Sequence, residues 1–228
     1  MKLHTREWGS GDRVALLVHG IMSDHRTWRR VGPALAERGY RAIGVDLRGH
    51  GASGRGTYSV DAFADDLVET LPAGAELALG HSLGGLALAL AVERLAPRRA
   101  VYCDPAWALT QSVDPALFME FRHAPRELIA QFNPRWEDAD IDVELATLAD
   151  WDPRSALAVA GEHAVDRTPA RAVVPSLVQA AGPSLLVPQE LKEELVRRGF
   201  EVRTVEGAGH TIHRDDFEGF MKSLEGWL

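Results

Sequence analysis

Glu76-Leu-Ala-Leu-Gly-His-Ser-Leu-Gly-Gly-Leu-Ala-Leu-Ala-Leu-Ala-Val92 changes character halfway along its length. Residues 76–80 form a short apolar run ending in glycine, as a strand covered on both faces does. Residues 83–95 continue apolar for too long to be a strand and read as a buried helix. Ser82 stands at the junction, inside the pattern Gly80-x-Ser82-x-Gly84. A serine on so abrupt a strand-to-helix turn needs glycine neighbours, because a Cβ at either flank collides with backbone.

Outward from this unit the same alternation repeats. Upstream, residues 13–20 are an apolar run ending in glycine, residues 42–46 are another that empties into a glycine-rich loop, and Trp28, Val31 and Leu35 recur at helical spacing. Pro33 is expected to split that helix. Ser59 is a candidate N-cap for a helix carrying Phe63, Leu67 and Leu71 on one face. Downstream, residues 99–103, 173–178 and 200–205 read as strands, with helices over 189–198 and 215–228. Strands alternating with helices imply parallel crossovers, hence an α/β fold with a doubly wound, mostly parallel sheet. Between Asp104 and Ala172 the rhythm fails, and Pro115, Pro125, Pro134 and Pro153 divide the segment into short helical pieces. The expected organisation is a core of residues 1–106 and 171–228 with a helical cap inserted over 107–170. Trp107, Trp136 and Trp151 in that segment either line an acyl pocket or form the cap's own small core.

Three further motifs flank the serine turn in order: His19-Gly20 after one strand, Asp46-Leu-Arg-Gly-His-Gly-Ala-Ser53 after the next, and Gly207-Ala-Gly-His210 after the last. From Val14 onward the chain resembles the α/β-hydrolase family in both the content and the order of these motifs. The resemblance implies that Ser82 is a nucleophile, that His210 is its general base, and that the backbone N–H groups of Ile21 and Leu83 form an oxyanion hole. His213 is the near rival to His210; His210 is favoured because Gly207 and Gly209 shape a loop at a strand's carboxyl end, where open α/β sheets place ligands. The position at which the family commonly carries its acid is Gly182 here. Asp104, ending the strand 99–103, is the substitute; the alternative is that it merely caps the turn before Pro105. Glu162 and Asp166 are more distant candidates. His4, His19, His25, His50, His81, His123 and His163 are assigned structural or surface duties.

Composition narrows the function. The 228 residues suit one domain with an insertion. The net charge of −8, without a basic stripe, argues against nucleic acid as partner. Arginine pairs such as Arg29-Arg30 read as solvated helix faces. Cys103 is the sole cysteine, which rules out an intramolecular disulfide and a cysteine-rich metal framework. The first eight residues lack the apolar run of a secretory signal, and no stretch is long enough to span a bilayer, so a cytoplasmic location away from membranes is expected. Neither metal nor organic cofactor is expected. The expected partner is a small molecule with an acyl group, and the expected reaction is hydrolysis of an ester, lactone or thioester. A carbon–carbon bond hydrolase, a peracid-forming haloperoxidase, a cyclase or lyase, and a non-hydrolytic ligand receptor are the alternatives.

Overall fold

The computed structural model describes residues 1–108, 115–156 and 165–228, with the side chains of all of these but 115–117. Along β2 (Arg13–Val18), Ala15 and Leu17 face one side of a sheet and Leu16 and Val18 the other, and all four are fully buried. This is the period-two consequence of a strand covered on both faces. The remaining strands are β1 (Thr5–Trp8), β3 (Tyr40–Val45), β4 (Leu77–His81), β5 (Ala100–Cys103), β6 (Ser176–Gly182) and β7 (Glu201–Glu206). They lie in the order β1-β3-β2-β4-β5-β6-β7, with β1 antiparallel to β3 and every other pair parallel.

Helices cover both faces. The side that receives Leu16 and Val18 packs against α2 (Val60–Thr70), α3 (Leu83–Leu95) and α7 (Gln189–Arg197), through Phe63, Leu67, Leu86 and Leu195. The other side packs against α1 (Val31–Ala36), α8 (Ile212–Asp215) and α9 (Phe217–Ser223), through Leu35, Ile212 and Phe220. Ser59 caps α2 by accepting a hydrogen bond from the Ala62 N–H at 3.0 Å, as its position before the apolar face suggests. The helix anticipated around residues 28–39 is a single 3₁₀ turn, His25–Trp28, followed by α1. Pro33 is third in α1, where no intrahelical N–H is required. The final helix is likewise two pieces: Asp216 leaves helical geometry and its carboxylate caps α9 through the Gly219 N–H at 2.9 Å.

Between β5 and β6 lie α4 (Pro115–Phe121), α5 (Arg126–Phe132) and α6 (Asp138–Asp150). Their apolar residues, Ile129, Ile141, Leu148 and Trp151 among them, form a cluster separate from the two sheet faces. Acids of and before α6 reach arginines near α1: Arg29 meets Asp140 at 2.8 Å and Glu137 at 2.7 Å, and Arg26 meets Asp150 at 2.6 Å. The Arg29-Arg30 pair is therefore an ionic contact to the segment between β5 and β6, which corrects the reading of a purely solvated face.

Sheet order also locates a crevice. From β2 the chain turns one way to β3 and then crosses to β4 on β2's other side. The loops leaving the carboxyl ends of β2 and β4 diverge there, and such a switch point is where open α/β sheets hold ligands.

Candidate active site

The loop leaving β4 is a single residue. Ser82 has φ 52° and ψ −118°, between the last strand residue His81 and the first helical residue Leu83. A non-glycine residue at positive φ is uncommon and must be held by its surroundings. Three backbone bonds hold this one: the Ser82 N–H to the Cys103 carbonyl at 3.0 Å, and the Ser82 carbonyl to the N–H groups of Leu86 and Ala106 at 3.1 and 3.2 Å. The flanking glycines are required by space. A Cβ on Gly80 would meet the Gly84 carbonyl oxygen at 2.5 Å, and one on Gly84 would meet the Val18 carbonyl oxygen at 2.4 Å.

The loop after β7 presents His210. It is tied to the end of β6 by the Gly207 N–H on the Gly182 carbonyl at 2.8 Å and the Gly182 N–H on the Ala208 carbonyl at 3.1 Å. Gly207 has φ 76°, which glycine alone adopts without cost. The His210 Nδ1 lies 2.7 Å from the Asp104 Oδ2. Asp104 is itself buried, and its other oxygen accepts from the Ser184 hydroxyl at 2.6 Å and the Ala181 N–H at 3.1 Å. Burial pushes the Asp104 carboxyl up, but the hydrogen bonds from His210, Ser184 and Ala181 outweigh it and hold the group below the ordinary carboxylate range. Ser184 was not singled out from the sequence.

His81 supports the same loop from beneath. Its Nε2 donates to the His210 carbonyl at 2.9 Å, and burial pushes its pKa down to about 3, so the ring stays neutral. On the other side of Ser82, His19 donates from Nδ1 to the Gly20 carbonyl at 2.6 Å and accepts the Leu47 N–H on Nε2 at 2.9 Å. Because a trans peptide is planar, holding the Gly20 carbonyl toward His19 turns the Ile21 N–H the opposite way. The Leu83 N–H, first in its helix, has no intrahelical acceptor and sits at the positive end of the α3 dipole.

Ser82, Leu83, His210, Asp104, Gly20 and Ile21 all border one cavity of about 430 Å³, which Phe118 and Trp136 also line. Ser82, His210, Asp104, Ile21 and Leu83 thus border a single opening. A model of the alpha/beta hydrolase family matches residues 15–222. The chain belongs to the alpha/beta hydrolase family. The chain is 44% identical over 82 residues to an uncharacterized protein of Mycobacterium tuberculosis, a match that covers 34% of this chain and 24% of that protein. It is 40% identical over 90 residues to the pimeloyl-[acyl-carrier protein] methyl ester esterase of Sodalis glossinidius, covering 39% of this chain and 34% of the esterase. The curated relatives are therefore matched over well under half of their own length. Among solved structures, the N-formylmaleamic acid deformylase of Pseudomonas putida S16 superposes with a TM-score of 0.82 at 23% identity, over 97% of this chain and 96% of that one.

Elsewhere in the chain several of the other histidines find partners. His213 is fully buried, with Nε2 2.7 Å from the Thr27 hydroxyl, so it does not compete with His210 for the opening. His50 donates to the Arg48 carbonyl at 2.9 Å. His4 and His25 both reach the buried Asp46, at 2.9 and 2.7 Å. These three residues come within metal-ligating reach of one another, a grouping that their wide sequence separation conceals. Asp46 is nonetheless satisfied without an ion, since the His25 and Ala52 N–H groups also bind it at 2.8 and 3.0 Å. Of the three tryptophans weighed for a pocket, only Trp136 borders the cavity. Trp107 packs against Tyr102 and Phe200, and Trp151 lies in the core of α4–α6. Asp166 is occupied by the Thr168 N–H at 2.8 Å. Glu162 and His163 lie outside the described residues. No helix among the described residues is long and apolar enough to cross a membrane.

Proposed function

We propose that this hydrolase cleaves a carbonyl ester, lactone or thioester of a small molecule through an acyl-enzyme on Ser82, with residues 107–170 acting as a cap and with the protein working in the cytoplasm. The observation that carries the reading is the hydrogen bond from His210 Nδ1 to a buried Asp104, at the edge of the cavity that holds the Ser82 turn. With Nδ1–H donated to Asp104, the Nε2 of His210 is left as a proton acceptor. Ser82 Oγ attacks the substrate carbonyl carbon while its proton passes to Nε2, and the carbonyl oxygen becomes an oxyanion held by the Ile21 and Leu83 N–H groups. Collapse of that intermediate expels the alcohol or thiol, which takes the Nε2 proton. Water then attacks the acyl-Ser82 ester by the same route, releasing the acid and restoring the serine. The esterase relationship supports this reaction class. With Asp104 on His210, the vacancy at Gly182 no longer argues for a non-hydrolytic receptor.

A serine-directed fluorophosphonate tests the reading. Peptide mass spectrometry is expected to find the adduct on Ser82, and Ser82→Ala is expected to lose the hydrolysis of short p-nitrophenyl esters by about a millionfold. Failure of saturating reagent to label Ser82, or full turnover by Ser82→Ala, would overturn it.

A further inference from the structure

Three separate segments converge at the carboxyl end of β3. Asp46 follows that strand, His25 opens the 3₁₀ turn after β2, and His4 precedes β1. The His25 Nδ1 lies 2.7 Å from the Asp46 Oδ1, and the His4 Nδ1 lies 2.9 Å from Oδ2. The two rings are neighbours, with centroids 5.3 Å apart. One nitrogen from each ring and one carboxylate oxygen all lie within 4.8 Å of one another. None of the three residues borders the cavity of Ser82, so the serine chemistry does not use them.

Backbone bonds hold the three in place independently of the ring nitrogens. The His4 N–H donates to the Ser53 hydroxyl at 2.8 Å, and the His4 carbonyl accepts the Asp46 N–H at 2.9 Å. The Asp46 carboxylate accepts the His25 and Ala52 N–H groups at 2.8 and 3.0 Å. A ligating carboxylate oriented in this way by other donors is a common feature of metal sites. Without an ion, each ring donates its Nδ1–H to the carboxylate and the fold is complete. Passing to the Nε2–H tautomer turns both Nδ1 atoms into lone-pair donors, with no proton lost from either neutral ring. Tetrahedral bonds of about 2.0–2.1 Å set ligand atoms roughly 3.3 Å apart, so the contacts of 2.7 and 2.9 Å have to open by only about half an ångström. The Asp46 side chain is 0% exposed, whereas those of His25 and His4 are 20% and 41% exposed, which leaves the rings reachable from water. Two imidazole nitrogens with one carboxylate suit a late first-row divalent metal; Ca²⁺ and Mg²⁺ take oxygen ligands instead.

We propose that His4, His25 and Asp46 form a binding site for a late first-row divalent cation of the Zn²⁺ type, with water completing the coordination. The ion would clasp the segment before β1 to the segments after β2 and β3. His25 lies four residues beyond Ile21, so the ion braces the far end of the loop that carries Ile21. The site stands or falls independently of the serine-hydrolase reading.

The experiment uses the full chain, freed of metal by a chelator, with Zn²⁺ alone as the probe. Calorimetry is expected to show one Zn²⁺ bound per chain. Tm is expected to rise by about 5–10 °C at free Zn²⁺ a hundredfold above its Kd, whereas Mg²⁺ and Ca²⁺ at the same concentration leave it unchanged. Histidine-ring NMR at one equivalent is expected to show His4 and His25 in the Nε2–H tautomer with Nδ1 on the metal, and His210 unmoved. His4→Asn and His25→Asn keep an amide donor near the place of Nδ1 but lose the imidazole ligand. Each is expected to weaken Zn²⁺ binding by about a hundredfold with the metal-free Tm little changed. The site would be overturned by failure of the wild type to bind one equivalent, by an equal Tm gain from Mg²⁺ or Ca²⁺, or by full affinity in the double variant. Zn²⁺ that moves the His210 resonances in place of those of His4 and His25 would overturn it as well. That NMR result needs no variant, so it decides the matter even where a substitution unfolds the chain.

Discussion

Asp104 has φ 40°, a left-handed conformation that a non-glycine residue keeps only when its surroundings enforce it. Here its N–H is fixed on the Gln179 carbonyl at 2.7 Å and its carboxylate on Ala181, Ser184 and His210. Asp104→Asn preserves the shape but offers an amide that cannot hold His210 in the same tautomer with the same charge. Its kcat is expected to fall by up to about 10⁴-fold with the fold intact. Gly182→Asp is not expected to rescue it, although Gly182 stands where the family's acid was sought. A Cβ there would lie 2.9 Å from the Glu206 Oε2 and 3.0 Å from the Glu206 Cα, so a carboxylate is crowded against Glu206. Ester turnover and Tm of the single and double variants check this: a double variant that regains activity would show that position 182 can serve after all. Ser82 and His210 stand out in the sequence as candidates because each sits in a local glycine pattern imposed by backbone geometry. The Asp104–His210 contact joins residues 106 positions apart, and nothing in Pro183-Ser184 marks the hydroxyl that completes it.

Glu137, Asp140 and Glu144 recur at spacings of three and four around the start of α6, so one helix face is acidic. That face meets Arg29, Arg30 and Arg214, while Asp150 at the helix end meets Arg26. These pairs are unequal. Asp140 is buried to 3% side-chain exposure against a partly exposed Arg29, whereas Glu137 is 53% exposed. Asp140→Ala is expected to cost roughly 2 kcal/mol, between the values for exposed and fully buried pairs, and Glu137→Ala less than about 1 kcal/mol. Urea unfolding measures both, and limited proteolysis of the Asp140→Ala protein is expected to cut first within residues 115–156. Equal costs for the two variants would mean that burial does not set the strength of this contact. The inner strands were legible as apolar runs because both of their faces are covered, although β6 runs over Ser176–Gly182 and not 173–178. The edge strand β1, with mostly exposed side chains, carries no such signal, and the arginine contacts were hidden because their acids lie 70 or more residues away.

Four histidines are buried neutral in one molecule, and together they determine how the whole fold responds to acid. Burial lowers the pKa of His19, takes His50 and His81 to about 3, and takes His213 well below the ordinary value. In the unfolded chain the same rings titrate near 6.5. Between those limits the unfolded state binds protons that the native state refuses, so stability is complete above about pH 6.5 and declines as the pH falls toward 3. His50 and His81 each contribute a slope approaching about 1.4 kcal/mol per pH unit inside that window, and His19 and His213 act in the same direction. Asp104 acts in the same direction further down, because its depressed folded pKa withdraws stability only as the pH drops below the ordinary carboxylate value. The urea midpoint is therefore expected to fall steeply between about pH 7 and about pH 5, before the carboxylates titrate, with net proton uptake on unfolding. A midpoint that stays level across that interval would mean that these rings are charged or solvated in the native state. Burial would then not be what keeps His81 neutral where it holds the loop of His210.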